Sequence, residues 1–490
     1  MGQVKATGRP AERISVSALT AATVLRVDGR PFVYDARQNR VWRTDERGAS
    51  TVERQRVTHD CPVLPLRYHA PASELIPRAI EFVMTGACNL QCTYCATRDR
   101  YRSVGGTYDR LDDATAVQAL ELLRPHLPEG PVQIKFFGGE PLLCVGVIRR
   151  IVETLDAWGV ETEKIIATNG LLLDDETIDF LAQGRFLTLV SLDGVREVHD
   201  ANRRDARGRG SYDRVVDRLT RFRDRHPGVF RTHVAINMVV APPFAGRFRE
   251  LVEHLVRLGI SPDQINPNDT APTSEPSTSY TDNQLLSLRR EKAAIRERIV
   301  RGERTSSRLI FGDCYESYCG LRSATAGPES REDEPRDPAD GIPLEDCQGY
   351  AWNIVTVLPD GKVSACLEFE RLPAVEFGNV HEGQLDLGRL TAFQRAFRES
   401  VVDGPCARCW AVRLCPMTGC YKEFVANGCR PGWQRPEMCN LMRGDLAERL
   451  ASALCTTVRD HQGGHPWRRR GRSGHKTRRS SSSRRSKEPE

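Results

Sequence analysis

The segment Ala87-Cys88-Asn89-Leu90-Gln91-Cys92-Thr93-Tyr94-Cys95-Ala96 carries three cysteines in a CxxxCxxC spacing. It closely follows residues 80–84, an apolar run of strand length. Three thiolates on one short loop can hold three corners of a [4Fe–4S] cube and leave the fourth iron without a protein ligand, open to a substrate. A zinc knuckle is the alternative, although structural zinc takes four ligands, often from paired CxxC units, and this loop supplies three.

On either side of the loop the chain alternates strand and helix patterns. Apolar strands are expected at residues 80–84, 132–137, 164–167, 186–192 and 233–240, with a weaker one at 264–266. Helical periods separate them: Asp112 and Asp113 precede Ala114, Val117 and Leu120, and Phe248, Leu251, Leu255 and Leu258 recur at three-to-four spacing. This alternation predicts an α/β fold with a parallel sheet and ligand sites at the carboxyl ends of its strands. Chemistry-bearing residues fall at those ends. Gly138-Gly139-Glu140-Pro141 closes the second strand, Thr168-Asn169-Gly170 the third and Ser191-Leu192-Asp193-Gly194 the fourth, with His199, Asp200 and Arg203 beyond. Glycines let a ligand approach the backbone, and Glu140 offers acceptors to an ammonium. Singly, such segments can be ordinary turns. Placed at the ends of successive strands, they form a pattern that turns alone rarely produce.

These motifs together resemble the radical S-adenosylmethionine (SAM) enzymes. Tyr94 before the third cysteine fits that family's pattern, and Gly138, Gly139, Glu140 and Pro141 look like its GGEP motif, which implies a seat for the amino group of the SAM methionine. By the same resemblance Thr168, Asn169, Ser191, Asp193 and Arg203 line the SAM ribose and carboxylate, and residues 235–239 contact adenine. The implied reaction begins with SAM chelating the open iron of a [4Fe–4S] cluster at Cys88, Cys92 and Cys95. An electron then cleaves SAM to methionine and a 5′-deoxyadenosyl radical, which takes a hydrogen from substrate.

A second cysteine set lies further on: Cys347, then thirteen residues to Gly361 and four to Cys366, then Cys406-x2-Cys409-x5-Cys415-x4-Cys420 and a distal Cys439. It is similar to the SPASM extension, which holds auxiliary clusters in radical SAM enzymes that mostly modify peptides or proteins. The family places three residues between the third and fourth cysteines of the compact run; here residues 416–419 make four. The resemblance implies one auxiliary cluster on Cys347, Cys366 and Cys420 and another on Cys406, Cys409, Cys415 and Cys439. Cys314, Cys319 and Cys429 are candidates for the missing ligand of the first, or its iron stays open. A pair of zinc sites is the competing reading. Cys61, Cys144 and Cys455 read as plain thiols.

The 490 residues predict roughly three domains. Sixteen cysteines without a secretory signal argue against a disulfide framework and for metal chemistry in a reducing compartment, here taken as the cytoplasm. No apolar run suits a membrane span. The net charge is +6, yet residues 461–490 alone carry +8, which leaves −2 for the rest. That neutral body argues against a nucleic-acid-binding protein. The basic tail reads as solvated and disordered, with an electrostatic arm as the other reading.

The expected organisation is an N-terminal β-containing module over residues 1–75, able to recognise a peptide by strand addition, and a partial (β/α)6 TIM-like radical SAM barrel over 76–302. A Cys-rich SPASM extension follows over 303–455, with a flexible insertion at 322–345, and the tail occupies 456–490. The function implied is a maturase that cross-links a ribosomally made peptide, with flavodoxin or ferredoxin as electron donor. Formylglycine formation of the sulfatase-maturase kind is the alternative.

Overall fold

The computed structural model describes residues 22–27, 30–36, 40–57, 66–68, 75–95, 110–269, 342–344, 354–366 and 375–415, with scattered positions in 280–291 and 424–450. Near the N-terminus, β1 (Ala22–Val27), β2 (Arg30–Asp35) and β3 (Arg40–Arg43) form an antiparallel sheet in that order. Helix α1 (Glu46–Val57) seats Val52 against Ala22 and Val33. The strands match the sequence expectation; the helix was not anticipated.

Strands β5 (Ala79–Val83), β6 (Val132–Phe137), β7 (Thr162–Thr168), β8 (Leu187–Ser191), β9 (Val234–Val240) and β10 (Ile265–Asp269) run parallel, each beside its predecessor. Ile80, Phe82, Ile134, Phe136, Ile166, Val190, Ile236 and Met238 fill one core with buried residues of the connecting helices, such as Leu120, Ile148, Leu181 and Leu219. Period-two alternation sends Glu81, Lys135, Ser191 and Asn237 to the opposite face. The connecting helices start where acidic caps begin them. Asp112 accepts from the Thr115 amide at 2.7 Å to open Asp113–Leu123, and Asp174 accepts from the Thr177 amide at 2.9 Å to open Asp175–Gln183. This is a partial (β/α)6 barrel.

The cysteine-rich part does not stand apart from it. Asp360-Gly361 between residues 353–358 and 362–366 predicts a hairpin, and one forms from β12 (Ile354–Val357) and β13 (Lys362–Ser364); β12 pairs parallel with β5, Ile354 opposite Ala79 and Val357 opposite Phe82. The barrel sheet therefore continues through β12 and β13 into β14 (Glu376–Asn379) and β15 (Gln384–Leu385), ten strands in all. Glu81 on β5 joins the two parts, meeting Lys135 Nζ at 3.2 Å and accepting from the Thr356 hydroxyl at 3.1 Å.

One expectation needs correcting. The stretch 322–345 is not wholly a flexible insertion, because Ile342–Leu344 forms β11 and pairs parallel with β4 (Leu66–Tyr68). Its order comes from a partner almost three hundred residues away, which local composition does not encode. The rest of that insertion, most of residues 283–302, whose charged pattern predicts a helix, and the basic tail lie outside the described residues. No described helix is long and apolar enough to cross a membrane.

Candidate active site

The cysteine loop leaves β5 at its carboxyl end and is fastened to the segments that leave β6 and β8. Gly139 N donates to Thr85 O at 2.7 Å and Glu140 N to Ala87 O at 2.9 Å. Gly138 sits at φ +127°, and a Cβ on Gly139 would lie 2.2 Å from the Ala87 carbonyl oxygen. The glycines are there because the cysteine loop's own backbone runs against them. On the other side, Gln91 N and Thr93 N donate to Arg204 O and Asn202 O at 2.6 and 3.0 Å, and the Thr93 hydroxyl reaches Asn202 Oδ1 at 3.1 Å.

Beneath the loop lies a buried charge cluster. Arg203 meets Asp193 through Nε at 3.0 Å and Nη2 at 3.2 Å, Val239 N donates to Asp193 Oδ1 at 3.0 Å, and the Tyr94 hydroxyl donates to Asp193 Oδ2. The Arg203 guanidinium lies 5.3 Å from the Tyr94 ring centre. Burial and Asp193 hold the Tyr94 hydroxyl well above its ordinary range, with Arg203 opposing. The carboxylate of Asp193 is thus spent on protein donors, tying the loop to β9.

A chain of defined protons supports this cluster. Asp193 N donates to His199 Nδ1 at 3.2 Å, so the ring proton sits on Nε2 and is donated to Ser211 Oγ at 2.8 Å; that hydroxyl donates to Arg203 O at 2.9 Å. A neutral imidazole is required, and burial accordingly pushes His199 down to about 4.

Glu140 is fully buried. Oε1 accepts from Leu142 N at 3.2 Å and the Thr168 hydroxyl at 2.7 Å, and Oε2 from Asn169 N at 2.7 Å. Burial pushes its carboxyl up to about 7 against the pull of these three donors. Pro141 opens the following turn, Pro141–Cys144, and is buried.

Burial, with the neighbouring Glu140 and Cys95 charges, pushes the Cys88 thiol up to about 11, and burial, with the Cys95 and Cys88 charges, pushes Cys92 up to about 12. Yet no three His, Cys, Asp or Glu side chains among the described residues are grouped tightly enough to share a single metal ion. Donors already point at two sulfurs: Asn169 Nδ2 to Cys88 at 3.6 Å and Arg203 Nη1 to Cys92 at 4.0 Å. A thiol-only set with guanidinium and amide donors aimed at its sulfurs fits an anionic iron–sulfur cluster.

The second set is partly visible. Cys409, Cys415 and Cys439 all act electrostatically on Cys406, whose thiol burial pushes up to about 12. The fold thus places these three thiols within electrostatic reach of Cys406. Trp410, next to Cys409, has a buried ring N–H with no acceptor among the described residues, a donor that a sulfur-rich group would satisfy. Its ring meets Tyr34 of β2 edge-on at 6.1 Å. Cys347, Cys420, Cys314, Cys319, Cys61 and Cys455 lie outside the described residues, while Cys366 ends the hairpin and Cys429 is half-buried. Cys144 is a core thiol donating to Met84 O at 3.5 Å. Sequence reasoning missed the roles of Ser211, Asn202 and Gln434: Asn202 and Gln434 reach partners far along the chain, and Ser211 meets His199 and Arg203 only through the turn between them.

Residues 82–255 match the Radical SAM superfamily and residues 347–410 the SPASM iron–sulfur cluster-binding domain. The chain thus carries a radical SAM domain and a SPASM iron–sulfur cluster-binding domain; these make it an enzyme and imply iron–sulfur clusters and SAM as its cofactors. A cysteine-type anaerobic sulfatase-maturating enzyme of Clostridium perfringens (strain 13 / Type A) is 30% identical over 146 residues, 27% of this chain and 36% of that protein. A GTP 3′,8-cyclase of Corynebacterium glutamicum is 28% identical over 319 residues, 64% of this chain and 72% of that protein. The chain thus spans only 36% of the cysteine-type sulfatase-maturating relatives it matches. Native anSMEcpe solved with bound AdoMet and Cp18Cys peptide shares the fold with TM-score 0.58 at 18% identity, over 78% of this chain and 99% of that one. Streptococcus suis SuiB bound to precursor peptide SuiA gives 0.50 at 14%, over 86% and 98%.

Proposed function

We propose that the protein is a maturase that oxidatively modifies a ribosomally synthesised peptide, forming a thioether or carbon–carbon cross-link. The observation that carries this reading is the pairing of two separate thiol sets: Cys88, Cys92 and Cys95 at the carboxyl end of β5, and Cys406, Cys409, Cys415 and Cys439 in the extension. Bound at the first set, a cluster with SAM supplies the reductively generated 5′-deoxyadenosyl radical that takes a hydrogen from substrate.

The chain's own residues bind and orient. The Gly138-Gly139-Glu140-Pro141 turn seats the ammonium of SAM, with Glu140 pinned beneath it by Leu142, Thr168 and Asn169, and Thr168, Asn169 and Ser191 line the remainder of the ligand. Tyr94, Asp193 and Arg203 keep the cysteine loop in place. The second set, with Cys347, Cys366 and Cys420, would hold auxiliary clusters, which would supply an electron acceptor for the substrate oxidation. A flavodoxin or ferredoxin is the expected donor, and the cytoplasm is the compartment in which such clusters stay reduced.

A second reading, oxidation of a cysteine or serine to formylglycine, draws support from the sulfatase-maturating relatives. Anaerobic reconstitution with iron and sulfide, followed by a dithionite-driven assay for 5′-deoxyadenosine, tests the shared chemistry. Replacing Cys88, Cys92 and Cys95 by Ala should abolish that product, and its retention would overturn the assignment. Mass spectrometry of the substrate separates the two readings. A cross-link removes two hydrogens, whereas formylglycine leaves an aldehyde that a hydrazine probe captures.

A further inference from the structure

Each thiol set has one carboxamide aimed at its first cysteine. Asn169 Nδ2 donates to Cys88 Sγ at 3.6 Å and to Asn89 Oδ1 at 2.6 Å, while its Oδ1 accepts from Leu171 N at 3.1 Å. The Leu171 contact fixes which way the amide faces. Gln434 Nε2 donates to Ser400 O at 3.1 Å and to Cys406 Sγ at 3.8 Å. A flipped amide would set its oxygen against the Ser400 carbonyl, so this orientation is also fixed. Gly404 makes the room: a Cβ there would stand 3.0 Å from Gln434 Nε2 and 2.4 Å from Ser400 O.

The Gln434 carbonyl is buried and has no partner among the described residues. An orphaned buried acceptor costs stability, and an apolar side chain of similar length would avoid that cost. What the glutamine adds is its N–H pair, one member of which reaches the ligand sulfur. At the first set Arg203 also reaches a sulfur, Cys92, but its charge is matched by Asp193. The Leu90 amide also donates to Cys88 Sγ, at 3.4 Å, which leaves the neutral amide of Asn169 as the side-chain donor there that no carboxylate offsets.

We propose that Asn169 and Gln434 are potential-setting residues: each raises the reduction potential of the cluster at its own thiol set by hydrogen-bonding one ligand sulfur. The reduced cluster carries one more negative charge, so a donor to its sulfur stabilises that state more than the oxidised one. The proposal rests on the cluster assignment made above.

The test is a redox titration followed by electron paramagnetic resonance on the full-length, anaerobically reconstituted protein. Signals that change on adding SAM report the first cluster. A Cys88, Cys92 and Cys95 to Ala background isolates the auxiliary ones. Asn169→Ala should lower the midpoint of the SAM-responsive cluster and leave the auxiliary midpoints where they were, with Asn169→Ser, which keeps a small donor, in between. Gln434→Leu should lower an auxiliary midpoint only, and Gln434→Asn serves if the leucine variant does not load iron. Unmoved midpoints at full iron content would overturn the proposal, as would equal shifts at every cluster. A parent protein that takes up no iron would overturn the cluster assignment itself, a different result from iron-loaded variants with unchanged potentials.

Discussion

Replacing Asp193 by Asn isolates the electrostatic fastening beneath the cysteine loop. Side-chain exposure is 0% for Asp193 and 8% for Arg203, so water cannot take over when the carboxylate is lost. Removing one partner of a buried pair costs about 3–5 kcal/mol, because the remaining charge is stranded. The isosteric amide adds a conflict, since its N–H groups must face Arg203 or the Val239 amide, both donors. Each kcal/mol lowers Tm by about 2–4 °C in a domain of barrel size, so a fall of roughly 6–20 °C is expected. Urea and thermal unfolding of the metal-free protein, followed by far-UV circular dichroism, measure this without interference from cluster loss. The double variant Asp193→Leu with Arg203→Met should recover most of the loss, as no charge is left buried. A cost below about 1 kcal/mol for Asp193→Asn would refute the reasoning, since it would mean that Arg203 finds water.

The geometry carries three further outcomes. Replacing Cys409 and Cys415 by Ala should leave 5′-deoxyadenosine formation measurable while removing modified product; undiminished product would make the second thiol set merely structural. Glu140 has a folded-state pKa of about 7, above its ordinary 4.5, so its protonated form favours the folded state. That contribution is complete below about pH 4.5 and is lost as pH rises to 7, about 3 kcal/mol in all. Unfolding free energies of Glu140→Gln, compared with the parent between pH 5 and 8, should show the parent losing ground as pH rises. Gly139→Ala places a Cβ against the Ala87 carbonyl and must displace the cysteine loop. Iron loading after reconstitution should fall severalfold, and normal loading would show that the loop yields without cost.

Much of the barrel was legible because its strands keep an apolar residue at every second position and end at recognisable turns. Residues 132–137 were bounded as the fold has them, and the hairpin turn at Asp360-Gly361 was read from its own two residues. Helix α1 was not legible, since Ala49 and Val52 are its only buried hydrophobics among the described positions, too few to set a period. The pairings of β11 with β4 and of β12 with β5 depend on partners far along the chain, and hydrogen bonds between strands leave no local trace in composition. The site divides the same way. Cysteines, glycines and Glu140 announce themselves by spacing. That Asp193 fastens Tyr94 and Arg203, or that Gln434 reaches Cys406, emerges only from how the loops meet.

The parallel pairing of β12 with β5 also bears on how the protein can be dissected. A chain cut after residue 302, at the boundary the sequence suggests, would leave one side of β5 with unpaired amides and carbonyls, on the very strand that launches the cysteine loop. Bare strand edges recruit other copies. The isolated barrel should therefore self-associate, and the smallest well-behaved piece containing the first thiol set should extend at least through the 354–364 hairpin.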